Sequence, residues 1–151
     1  FTELMVRVLR GALERVSQTS REGPRVLLTT LPGEPHALGL LMAECLMALA
    51  GARCVPLGTE TPTDDVARAA RAHGADVVAL SFSSMFGATP AQRELRRLRS
   101  ALPETTEIWA GGACPGLPGF ALPGLRTLPH LGGVAEAVAA WSERRAVSLS
   151  A

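Results

Sequence analysis

Five short apolar runs punctuate this chain, and stretches of helical period separate them. The runs are RVLLTT (25–30), ARCVPL (52–57), DVVALSFS (76–83), EIWAGG (107–112) and GLRTL (124–128). They are rich in branched side chains and bounded by Gly, Pro, Thr or Asp, the pattern of strands buried on both faces. Helical spacing fills the intervals at 37–50, near 62–73, 90–101 and 132–145. Thr61 before Pro62 reads as an N-cap with proline in the first turn. Ahead of the first strand, residues 3–17 place Leu4, Met5, Val8, Leu9, Ala12, Leu13 and Val16 at helical spacing, an amphipathic helix ended by the turn formers of SQTSREGP.

Strands that alternate with helices specify a parallel α/β sheet covered on both faces. Its crossovers are right-handed. Five strands fit the flavodoxin-like (Rossmann-like) order 2-1-3-4-5, preceded here by one N-terminal helix. In that order the winding reverses between strands 1 and 3, and ligands settle at the carboxyl ends beside the reversal. Three loops converge there: one carrying Glu34 and His36, one beginning at Ser81, and one carrying Gly111 and Gly112.

Composition narrows the chemistry. The 151 residues suit one domain, and 47% hydrophobic against 19% charged residues is globular. A net charge of +1 provides no field for nucleic acid or an anionic membrane. The arginines of RELRRLR (93–99) read as a solvated helix face. Cys45, Cys54 and Cys114 form no CxxC pair and read as buried thiols in a reducing, cytoplasmic setting. No signal peptide or membrane-length apolar run is present, and a first residue other than methionine suits a piece of a longer chain. The absence of GxGxxG argues against a pyrophosphate cradle. A first strand ending in Thr29 and Thr30 rather than carboxylates argues against a phospho-receiver.

His36 stands out because proline precedes it, Gly39 follows it, and the loop lies at the switch point. A neutral imidazole offers one lone pair once its other nitrogen has a partner, and Glu34 is the candidate partner. Ser81 and Ser83 alternate at the end of the central strand, and Gly111-Gly112 lets a flat ligand approach bare backbone. Ser84 reads as finishing the strand, His73 before Gly74 as a helix-end residue, and His130 in LPHLGG as able to edge the crevice.

GEPHALG, then SFS, then GG resembles the cobalamin-binding domain family, whose pattern is Asp-x-His-x-x-Gly, Ser-x-Leu or Ser-x-Thr, and Gly-Gly. The likeness runs from about Val26 to the last helix. It implies that His36 is the lower cobalt ligand, in place of the cofactor's own dimethylbenzimidazole. The freed nucleotide arm would thread between the sheet and a helix, with Ser81 bonding its base. Leu38, Gly39, Ser83, Gly111 and Gly112 would complete the cofactor site, with Glu34 behind the histidine. The implied cofactor is cobalamin with its cobalt.

Glu34 stands where aspartate is usual, and Ser83 where leucine or threonine is usual. Glu-x-His, LGTETP and VVALSFS are similar to the cobalamin-dependent MerR-type transcriptional regulators. That branch implies a sensor domain rather than an enzyme, with DNA bound only through a separate N-terminal domain. The tryptophan spacing of its photosensing members has no counterpart at Trp109 or Trp141. Residues 1–24 are then an N-terminal helix ending a helical bundle, 25–146 the cobalamin-binding domain and 147–151 a tail. The alternatives are a corrinoid-carrying domain of a methyltransferase or mutase, and a flavodoxin-like protein with another ligand or none. LGLLMAECLMALA, charged only at Glu44, is apolar on more than one face. This points to cover by the N-terminal helix and a neighbouring subunit, hence a homo-oligomer.

Overall fold

The computed structural model describes residues 2–16 and 22–151, the side chains of Thr2 and Val16 excepted. Much of the predicted break at residues 17–24 lies outside the described residues. Strands β1 (Arg25–Thr29), β2 (Arg53–Pro56), β3 (Val77–Ser81), β4 (Glu107–Gly111) and β5 (Leu125–Leu128) form one parallel sheet in the order β2-β1-β3-β4-β5. This is the flavodoxin-like order. The three inner strands are nearly buried throughout, which explains why they read as continuous apolar runs. Pro56, lacking an N–H, falls on edge strand β2.

Period-2 alternation divides the inner strands between two cores. Val26, Leu28, Val77, Ala79 and Trp109 face helices α2 (Leu38–Leu49) and α5 (Val134–Ser150) through Leu40, Met47, Val134, Ala137 and Val138. Leu27, Val78, Leu80, Ile108 and Ala110 face α3 (Thr63–His73) and α4 (Ala88–Ala101) through Val66, Ala70, Leu95 and Leu98. Arg93, Arg96 and Arg97 of α4 are exposed, as a solvated face requires.

Helix α1 (Thr2–Val16) packs on α2, so part of the apolar excess of α2 is covered within the chain. Its own Leu4 and Val8 remain exposed.

Local chemistry moves several boundaries. Thr61 does not cap α3. Pro62, which has no side-chain acceptor, holds the cap position, and the Thr61 hydroxyl is engaged instead with that of Thr29 at 2.7 Å. Strand β3 stops at Ser81, and the Phe86 amide donates to the Ser83 carbonyl, closing a turn. The last helix opens as a 3-10 turn, Leu131–Gly133, and continues through residues 147–150, read above as a tail. All three cysteines are free, but only Cys114 is fully buried. Burial pushes the half-buried Cys54 thiol up to about 12.

Candidate functional site

Loop β1–α2 is a braced structure. The Glu34 amide donates to the Leu31 carbonyl, and the Thr30 hydroxyl donates to the Glu34 carbonyl at 2.6 Å. The same hydroxyl accepts the Glu60 amide at 2.8 Å, and Glu60 Oε1 accepts the Gly33 amide. Thr29 donates to the Gly58 carbonyl at 2.9 Å. Loop β2–α3 therefore supports the histidine loop from the side. Pattern reading missed this role for Thr29, Thr30 and Thr61. The available signal was a Thr-Thr pair ending a buried strand, where side-chain hydroxyls must find partners.

Within this frame Glu34 is 1% exposed and His36 is exposed. Oε1 of Glu34 contacts His36 Nδ1 at 2.6 Å and accepts the His36 amide at 3.2 Å. Oε2 accepts the Ser83 amide at 2.6 Å. The extra methylene of glutamate thus reaches the imidazole directly and spans to the loop after β3. Burial opposes ionisation of this carboxyl, but it lies just beneath the surface. Bonds from Ser83 and then His36 outweigh burial and hold its pKa below the usual carboxylate range.

An ionised acceptor at Nδ1 selects the Nδ1–H tautomer and leaves the Nε2 lone pair free. Nε2 has no hydrogen-bond partner among the described residues. Among those residues no group of three or more His, Cys, Asp or Glu side chains is placed to hold a metal ion, so His36 offers one ligand and no protein cage.

A cavity of about 210 Å³ lies behind the rim, between the α2–α5 face of the sheet and α2. Ser81 and Gly111 end two of its strands, Gly39 and Met47 line its helix wall, and Trp109 and Leu128 contribute apolar surface. The Ser81 hydroxyl has no partner among the described residues. A Cβ at position 39 would lie 3.3 Å from it, so glycine keeps this wall open.

Gly112 has a different reason to be glycine. Its φ is +106°, and a Cβ would meet the Phe82 carbonyl oxygen at 1.9 Å, so its missing side chain serves the backbone crossing before any ligand. A Cβ at Gly111 would lie 3.3 Å from the Leu128 carbonyl oxygen.

The sequence-predicted residues divide into two groups. Gly39, Ser81, Gly111 and Gly112 line the cavity, together with His130. Glu34, His36 and Ser83 form the hydrogen-bonded rim. Leu38 belongs to neither group; it begins α2 between them. The Ser83 amide makes the 2.6 Å bond to Glu34, and the buried Ser83 side chain beside it also favours the ionised carboxylate. Met47, Ala43, Trp109 and Leu128 were missed as lining residues because their apolar character is equally that of core.

The donor set fits a corrinoid on three counts. A tautomer-fixed imidazole offers a single lone pair, a mostly apolar slot lies between sheet and helix, and an unpartnered hydroxyl faces that slot.

Comparison with known proteins follows the same lines. The fold is similar to the methanol:cobalamin methyltransferase complex MtaBC of Methanosarcina barkeri (TM-score 0.66, 14% identity, 86% of this chain and 51% of that one). It is also similar to the monomethylamine corrinoid protein of the same organism (TM-score 0.65, 20% identity, 87% and 62%). A cobalamin-binding protein of Desulfitobacterium hafniense DCB-2 gives TM-score 0.64 at 16% identity, over 93% and 71%. In sequence, 87 residues are 38% identical to the HTH-type transcriptional repressor CarH of Myxococcus xanthus. The match covers 58% of this chain and 29% of that relative's length. No helix among the described residues is long and apolar enough to cross a membrane. Residues 24–122 match the family model of the B12 binding domain, and the chain belongs to that family.

Proposed function

We propose that this chain is the cobalamin-binding sensor domain of a MerR-like transcriptional regulator, with Nε2 of His36 as the lower ligand of cobalt. The observation that carries the ligand assignment is the 2.6 Å contact of buried Glu34 with His36 Nδ1, which leaves Nε2 as the free lone pair. Cobalamin, when bound, would supply a cobalt centre able to take a protein nitrogen as a ligand. The protein's residues would hold it: Glu34 fixes the imidazole that would meet the cobalt, while Ser81 and the glycine-walled cavity would receive the nucleotide arm. The 38% identity to a transcriptional repressor and the Glu-x-His form favour a regulatory, non-enzymatic and cytoplasmic role. DNA would be bound through a separate domain, and the exposed Leu4 and Val8 of α1 suit cover by another domain or a second copy.

A corrinoid-carrying role alongside a methyltransferase is the second reading, favoured by the folds of the two Methanosarcina proteins. The ligand assignment is tested by visible spectra after reconstitution with hydroxo-, methyl- and adenosylcobalamin. His36→Ala is expected to weaken uptake and shift the spectrum, while exposed His73→Ala leaves both unchanged. Identical spectra for wild type and His36→Ala would remove the assignment.

A further inference from the structure

We infer that His130 is a second polar anchor of the cavity, one that recognises the sugar–phosphate segment of a corrinoid's nucleotide arm and so selects corrinoids that carry an arm. The inference rests on the cobalamin reading above and adds a residue outside the recognised motif.

The walls of the cavity are mostly apolar. Ser81, Trp109 and His130 bring the polar side-chain atoms among its lining residues. The Trp109 Nε1–H is committed to Glu107 Oε2 at 2.8 Å. The Ser81 hydroxyl and the His130 ring make no hydrogen bond among the described residues. Two residues whose side chains have unspent hydrogen-bonding capacity therefore line one apolar slot.

They stand at different depths. Ser81 ends the central strand β3 and is half-buried beside Gly39. His130 is exposed on the connection from β5 to α5, next to Pro129 and Leu131, which also line the cavity. The backbone fixes this position: the Gly133 amide donates to the His130 carbonyl at 3.0 Å, closing the 3-10 turn that leads into α5.

A ligand that fills the slot with a flat aromatic base leaves its hydrophilic part at the mouth, where an imidazole N–H can donate to a phosphate or ribose oxygen. Such a bond to an anionic oxygen is of the stronger, charge-assisted kind. The inner hydroxyl then reads the base, and the outer imidazole reads what links the base to the ring. The ring itself is held elsewhere, at the His36 rim, so the two recognitions are separable by ligand as well as by mutation.

The experiment compares hydroxocobalamin with hydroxocobinamide, which has the corrin and cobalt but no nucleotide. Affinities are measured spectrophotometrically for wild type, His130→Ala and His130→Gln, with thermal melts to verify folding of these exposed-site variants. His130→Ala is expected to weaken cobalamin binding about tenfold, the loss of one hydrogen bond to a charged group at an exposed site. Cobinamide binding should stay within about twofold. His130→Gln, which retains an N–H donor, should recover part of the cobalamin affinity. Equal loss for both corrinoids, or no loss for either, overturns the inference while leaving the His36 assignment standing. No uptake of either corrinoid by wild type overturns the cobalamin reading itself, and this inference with it.

Discussion

Glu34→Gln is the most informative single substitution because it changes the carboxylate by almost no volume. The wild-type side chain accepts from three donors: His36 Nδ1, the His36 amide and the Ser83 amide. A carboxamide has one accepting oxygen. If that oxygen stays on the His36 side, the new NH2 meets the Ser83 N–H, and two donors oppose each other inside a site that is 1% exposed. If the amide flips, its NH2 faces Nδ1 and draws the imidazole into the Nε2–H tautomer, which leaves no lone pair on Nε2 for a metal. Either arrangement leaves a buried donor unsatisfied, at a cost of about 1–3 kcal/mol. With a urea slope near 2 kcal/mol/M, a loss of about 2 kcal/mol lowers the denaturation midpoint by about 1 M. Loss of a partner behind a metal-bound imidazole weakens the metal about 10–100-fold. Urea denaturation, nitrogen-15 shifts of the His36 ring and hydroxocobalamin titration check the three parts. The pH dependence provides a control: a carboxyl held below its usual range contributes fully above the ordinary glutamate pKa, and that stability disappears as pH falls through the lower, folded value. The variant should lack this acid limb. An unchanged midpoint together with an unchanged His36 tautomer would refute the reasoning.

Gly112→Ala should destabilise by more than about 3 kcal/mol, since a positive φ and a backbone collision act together, and calorimetry should find a lower melting temperature in the absence of any ligand. Ser81→Leu places a branched side chain in a cavity of about 210 Å³ and should abolish cobalamin uptake by equilibrium dialysis while the far-UV dichroism stays native. Glu34→Asp shortens the arm by one methylene, so the carboxylate can keep His36 or Ser83 but not both 2.6 Å bonds. Hydrogen exchange should then rise at the Ser83 amide, with a loss of about 1–2 kcal/mol in urea denaturation.

What could be read from the sequence was whatever periodicity and topology carry. A buried parallel strand such as VVAL needs no partner to be recognised, alternation with helices makes the sheet parallel, and five strands fit the flavodoxin-like order that the sheet adopts. The switch point then brings the Glu34, Ser81 and Gly111 loops together without a side chain having been placed. Element ends were less legible because they depend on competition for hydrogen bonds. The Thr61 hydroxyl had two possible uses, and only the position of Thr29 across the sheet decides between them. His130 carried no local signal stronger than being a histidine near glycines. Its place on the cavity follows from β5 pairing with β4, a long-range fact. The division of labour at Gly111-Gly112 was equally hidden, because a glycine required by a backbone crossing and one required by a ligand look the same in one dimension.

The two halves of the site are joined through the end of one strand. Ser81 turns its side chain to the cavity on the α2–α5 face, and two residues later the Ser83 amide bonds the carboxylate that orients His36. Oε2 of Glu34 thus holds the segment after β3 and Oε1 of the same carboxylate holds His36. Aspartate would reach the imidazole or the Ser83 amide, but not both. The longer glutamate serves both loops, so one carboxylate ties the histidine loop to the segment that follows the cavity-lining end of β3.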